Sequence, residues 1–113
     1  MVSGGMNSPW PLLRGRVYAA KLSNIKNEKY FVVVSNNQRN STLPQVLAVR
    51  LTTSPKPRIP SIVELGNGEV FLGRAVCDDI VELYEDEILR DLGALSPGAM
   101  SNLSAGLKAA LSL

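Results

Sequence analysis

Histidine is absent from the 113-residue sequence, and cysteine occurs once, at Cys77. Without histidine there can be no Ser-His-Asp triad, no histidine metal site and no two-histidine ribonuclease mechanism. A lone cysteine excludes an internal disulfide framework and a cysteine-based zinc site, and Cys77 reads as a small core residue. Long apolar runs are missing too. None approaches the ~18 residues of a membrane span, and "MVSGGMNSPWPL" lacks the basic start and apolar stretch of a signal peptide. The expected location is cytoplasmic.

What is present is the composition of one folded domain: 45% apolar and 19% charged residues. Acid is scarce in the first half. Residues 1–60 carry nine Lys and Arg against Glu28 alone, a charge of +8, whereas residues 61–113 carry three bases against nine acids, a charge of −6. So basic a half suits a polyanionic partner, and a solvated surface would look the same.

Gly4, Gly5, Pro9 and Pro11 resist regular structure, which predicts a mobile arm over residues 1–12 anchored only by Trp10, and a single domain over residues 13–113. "RGRVYAAKL" alternates as a strand does. "YFVVV" is β-branched and aromatic throughout, which predicts a strand buried on both faces, followed by an amide-rich loop from Asn36 to Asn40. In "QVLAVRLTT" a third strand puts Val46, Ala48 and Arg50 on one face, Leu47, Val49 and Leu51 on the other. "SPKPRIP" is too rich in proline for a helix or a ladder. Asn67-Gly68 within "SIVELGNGEVFLG" predicts a tight primed hairpin turn. "RAVCDDIVEL" is another strand, and "YEDEILRDL" a short acidic helix before a brief strand. Ser96 and Pro97 open a terminal helix as N-cap and first residue, with Met100, Leu103, Leu107 and Leu111 in one apolar stripe for core or dimer contact. Five or six short strands closed by one helix describe a small, mostly antiparallel barrel.

Three of these segments, in this order, resemble the MazF family of toxin endoribonucleases, the toxin halves of toxin-antitoxin pairs. "RGRVYAAKL" is similar to the family's opening strand. "KYFVVVSNN" is similar to its Arg-Pro, apolar strand, polar residue and Asn, with Lys29-Tyr30 standing for Arg-Pro. "VRLTTS" is similar to the strand that ends in Thr or Ser near the active site, and "LSPGAMSNLSAGLKAALSL" to the final helix. The resemblance covers residues 13–113 and implies an SH3-like barrel of the MazF and CcdB type. It also implies a homodimer that binds single-stranded RNA along its interface, needs no cofactor and is inhibited by an acidic antitoxin protein. Position by position it implies catalytic roles for Lys29 and Thr52, and RNA contacts at Asn36 and at the pair Asp78 and Asp79.

RNA carries its own nucleophile, the 2′-hydroxyl, so positioning and charge stabilisation can suffice for cleavage and no metal is obligatory. Neighbouring strand positions turn Asp78 and Asp79 to opposite faces, away from convergence on one Mg²⁺. Solvent exposure and turn capping would account for the pair equally well. Lys29 would neutralise the non-bridging oxygens or hand a proton to the leaving 5′-oxygen, and the electrostatic role is favoured. Thr52 would hold the phosphate by its hydroxyl. Arg16, Arg39, Arg50, Lys56 and Arg58 would contact the RNA backbone, and Asn36 and Asn37 read base edges; each cation alone also reads as a solvated side chain. Two alternatives stand. One is a toxin on the same barrel that docks on a protein, as gyrase poisons do, although those end in a tryptophan-containing tail and this chain ends "ALSL". The other is an RNA binder that has lost catalysis.

Overall fold

The computed structural model describes residues 9–113. Residues 1–8 of the expected arm lie outside the described residues. Of the remainder of that segment, Leu12 is fully buried and Trp10 packs against the same apolar cluster.

Six strands form one sheet: β1 (Arg16–Ala20), β2 (Lys29–Val33), β3 (Gln45–Thr52), β4 (Ile62–Leu65), β5 (Gly73–Tyr84) and β6 (Ile88–Ala94). Their order is β4-β5-β3-β2-β1-β6, and every neighbouring pair is antiparallel. Two helices complete the chain, α1 (Asn37–Thr42) and α2 (Pro97–Leu111). The fold is mostly β with a C-terminal helix, as the alternating patterns predict.

The period of two divides the core between the faces of the sheet. Val32 of β2 joins Val17, Val49 and Leu51 in one cluster, while Phe31 and Val33 join Tyr18, Val46 and Ala48 in the other. The second strand is therefore buried on both faces. Helix α2 covers the first cluster through Ala99 and Leu103, with Met100 and Leu107 packed alongside; Leu111, at 52% exposure, runs past the core. Gly106 permits the close approach, since a Cβ there would stand 2.6 Å from Val63 Cγ2 and 2.8 Å from Cys77 Sγ. Cys77 is fully buried, and that burial pushes its thiol up to about 11.

Three local expectations are corrected. Asn67-Gly68 does not form a tight primed hairpin turn: β4 pairs with β5 through Leu65 and Gly73, leaving residues 66–72 as a longer loop, and Asn67 lacks the positive φ such a turn requires. A long-range tie explains this. The Glu69 carboxylate accepts hydrogen bonds from the Ser96 backbone N–H at 2.9 Å and from the Ser96 hydroxyl, drawing the loop to the start of α2. Edge strands β4 and β6 are not paired with one another, so this loop joins the two ends of a curled sheet. The acidic segment is a single 3-10 turn, Glu85–Glu87, and the residues after it form the seven-residue β6. Finally, the amide-rich loop is largely helical.

Candidate active site

The two polar ends of β2 serve different purposes. At its far end, Asn36 caps α1 by accepting a hydrogen bond from the Arg39 backbone N–H at 2.8 Å. Asn37 Oδ1 accepts from the Arg14 backbone N–H at 2.7 Å. The Arg39 guanidinium donates to the backbone and side-chain oxygens of Gln45, both at 3.0 Å. Asn40 is buried, donates to the Ser35 carbonyl at 2.9 Å and accepts from the Ser35 hydroxyl. That hydroxyl in turn accepts from the Leu47 N–H at 3.0 Å. These amides fasten α1 to β2 and β3, which is why a stretch with poor helix propensity is helical.

At its near end, β2 contributes Glu28, Lys29 and Tyr30 to a cleft of about 220 Å³; the end of β3 supplies Arg50, Leu51, Thr52, Thr53 and Ser54, and Phe71 closes one side. The ladder explains the meeting. Tyr30 pairs with Leu51 and Phe31 with Arg50, so Lys29 and Thr52 are the next positions outward on adjacent strands. Alternation puts Lys29, Arg50 and Thr52 on one face of the sheet.

Lys29 is half-buried in the cleft wall and Thr52 is buried at 8% exposure. Thr52 Oγ1 accepts a hydrogen bond from the Ser54 backbone N–H at 3.1 Å, which leaves its own proton available to an anion. Arg74 secures this turn. It donates to the carbonyls of Thr53 at 3.0 Å and Ser54 at 2.6 Å and pairs with Glu64 at 2.9 Å. Glu28 accepts from the Arg90 guanidinium at 2.6 Å and the Tyr30 hydroxyl at 2.8 Å; these bonds hold its carboxyl below the usual range and raise the Tyr30 phenol. Tyr30 stacks at a tilt against Phe71, with ring centroids 5.4 Å apart.

The remaining expected contacts are dispersed. Asn36, Asn37 and Arg39 lie at the opposite end of β2, roughly 20 Å from Lys29 along the strand. Arg16 sits toward that same end and is engaged by Asp91 at 2.9 Å, a bond that raises its pKa further. Lys56 and Arg58 line a separate, larger groove of about 530 Å³ with Pro55, Glu64 and Arg74, beginning one residue past the cleft. Asp78 and Asp79 turn apart. Asp78 accepts from the Ser61 hydroxyl at 2.6 Å, while Asp79 stands 3.8 Å from Arg50. Among the described residues, no group of three or more His, Cys, Asp or Glu is placed to hold a metal ion. Glu28, Phe71 and Arg74 were not assigned to the site from the sequence. A lone cation opening a strand in the acidic half was the only signal for Arg74.

A family model described as PemK-like, MazF-like toxin of type II toxin-antitoxin system matches residues 13–111. Endoribonuclease MazF4 of Mycobacterium tuberculosis is 38% identical over 108 residues, which cover 96% of this chain and 97% of that protein. A solved structure described as an endoribonuclease in complex with its cognate antitoxin from a mycobacterial species is also 38% identical; the match has a TM-score of 0.83 and covers 89% of this chain and 95% of that one. A MazE-MazF structure from Deinococcus radiodurans shares the fold, with a TM-score of 0.74 at 16% identity, over 89% of this chain and 95% of that one.

Proposed function

The chain belongs to the PemK-like, MazF-like toxins of type II toxin-antitoxin systems and is an endoribonuclease of that family, and we propose that it cuts single-stranded RNA at a specific sequence by attack of the substrate's own 2′-hydroxyl. The observation that carries this reading is the convergence of Lys29 and Thr52, from the ends of adjacent strands, on one 220 Å³ cleft.

In this mechanism the 2′-hydroxyl gives its proton to solvent water as the O2′–P bond forms, and the 5′-oxygen takes a proton from solvent water as the P–O5′ bond breaks. The products are a 2′,3′-cyclic phosphate and a free 5′-hydroxyl. The Lys29 ammonium neutralises charge developing on the non-bridging oxygens, and the Thr52 hydroxyl donates to one of them. Glu28 is the carboxylate in the cleft wall, but Arg90 and Tyr30 make it a weaker base than a free one. Electrostatic stabilisation therefore carries the rate. The required groups are a cation and hydroxyls, so the reaction needs no metal.

Lys56 and Arg58 extend a basic path from the cleft along the adjoining groove, where flanking phosphates lie; Asn36 and Asn37 contact RNA further away. The same path attracts an acidic segment of a cognate antitoxin, which competes with RNA. The protein acts as a homodimer in the cytoplasm. Incubation with a long RNA in EDTA, followed by mapping of the ends, tests the proposal. Discrete cuts bearing cyclic phosphates are expected. Intact RNA would favour the protein-docking toxin, or a binder without catalysis if affinity persists.

A further inference from the structure

Arg50 is held differently from the other ion-paired arginines. Arg16, Arg74 and Arg90 reach carboxylates at 2.9, 2.9 and 2.6 Å, whereas Arg50 Nη1 stands 3.8 Å from Asp79, beyond hydrogen-bond distance. Its Nε is buried without a hydrogen-bond partner among the described residues. A buried donor left unmatched is costly, and here it belongs to a cation. The loose pairing follows from the ladder. Between Val49 and Arg50 the register with β5 jumps from Ile80 to Val76, so Cys77, Asp78 and Asp79 have no partner on β3; Cys77 stays buried in the core, and Asp79 comes beside the guanidinium without docking it.

The same guanidinium lines the cleft with Lys29 and Thr52. Its planar fork of donors fits a ligand with two acceptor oxygens on one centre, which is the geometry of a phosphodiester. Lys29 cannot supply this, because an ammonium is a point charge without a fork.

We propose that Arg50 is a catalytic residue: resting on the functional reading above, its guanidinium exchanges the loose Asp79 contact for a two-oxygen grip on the scissile phosphate. Asp79 holds the side chain in the absence of RNA. Arg50 then bears the charge that develops as O2′ bonds to phosphorus, and Lys29 shares it. This role is distinct from a distributed backbone contact, which would set affinity and leave the chemical step alone.

The test measures kcat and KM on a short RNA that the wild-type protein cuts, for Arg50→Gln, Arg50→Lys, Lys29→Arg and the double variant Arg50→Gln with Lys29→Arg. Melting curves check folding. Arg50→Gln should lower kcat by at least ~10²-fold with KM changed only a few fold, and Arg50→Lys should recover little of it. Lys29→Arg brings a second fork to the same face, so its effect on kcat should be at least ~10-fold more favourable in the Arg50→Gln background than in the Arg50-containing enzyme. If Arg50→Gln fails to fold, the comparison of Arg50→Lys with wild type decides. Full kcat in Arg50→Lys, or a loss confined to KM with the same effect of Lys29→Arg in both backgrounds, would overturn the assignment. RNA left intact by the wild-type protein would instead sink the functional reading on which it rests.

Discussion

Replacing Gly73 by alanine should disable the cleft without removing any group that meets RNA. Gly73 opens β5 with φ of +136°, and a Cβ there would stand 2.3 Å from the Thr52 carbonyl oxygen and 3.1 Å from the Phe71 ring. Ordinary contact begins near 3.4 Å, so the end of β3 must retreat by roughly 1 Å in a packed structure. Thr52 and Phe71 both line the cleft, and the displacement is delivered to the hydroxyl that is to hold the phosphate. Misplacement of this size costs on the order of 10²-fold in rate, in addition to ~1–3 kcal/mol of backbone strain. Gly68→Ala is the matched control, because Gly68 has φ of +91° and its added methyl would meet nothing within 4 Å. Cleavage and melting should be measured on both variants at a temperature where each is folded. The expected result is lower stability in both and lost kcat in Gly73→Ala alone. Wild-type kcat in folded Gly73→Ala would refute the link between the start of β5 and the cleft.

Lys29→Ala and Thr52→Ala should each lower kcat by at least ~10²-fold while the protein stays folded, as measured by single-turnover cleavage and circular dichroism. Asn40→Ala leaves the buried oxygens of Ser35 with fewer partners and should cost about 1–3 kcal/mol in denaturant unfolding, with kcat of the folded fraction unchanged because α1 lies at the other end of β2. Equal stability would mean that α1 holds without that amide. Hydrogen bonds lower the folded pKa values of Glu28, through Arg90 and Tyr30, of Glu64, through Arg74, and of Glu69, through Ser96, from an ordinary 4.5. Their stabilisation is complete above that ordinary value and lost as pH falls through the lowered folded values. Melting temperature should therefore hold steady from neutral pH to about 5, there being no histidine to titrate, and drop in acid. Glu69→Gln should remove part of the acid drop, and an unaltered profile would dismiss the Ser96 tie.

The strands were legible because local alternation and burial agree: Phe31, Val32 and Val33 are apolar in sequence and buried on alternate faces in the structure. Helix α2 announced itself through Ser96 and Pro97, which stand at its N-cap and first residue. Helix α1 could not be read, since four of its six residues, Asn37, Asn40, Ser41 and Thr42, are poor helix formers, and the helix is held by partners at Ser35, Gln45 and Arg14. The loop over residues 66–72 was misjudged for a similar reason, its path being set by Ser96 across the fold. Lys29 and Thr52 stood out through resemblance, and their adjacency comes from β2–β3 register. The state of Arg50 was invisible, because it depends on a bulge in β5 that no periodicity signals.

The most direct measurement replaces one ribose, on the 5′ side of the cut, by deoxyribose in an otherwise unchanged RNA. With the nucleophile removed and the phosphate and base contacts kept, cleavage at that bond should vanish while affinity stays within a few fold, in the presence of chelator. Continued cutting of the deoxy-substituted strand at that bond would mean that water or a side chain attacks the phosphorus, and would contradict the roles given to Lys29, Thr52 and Arg50 together.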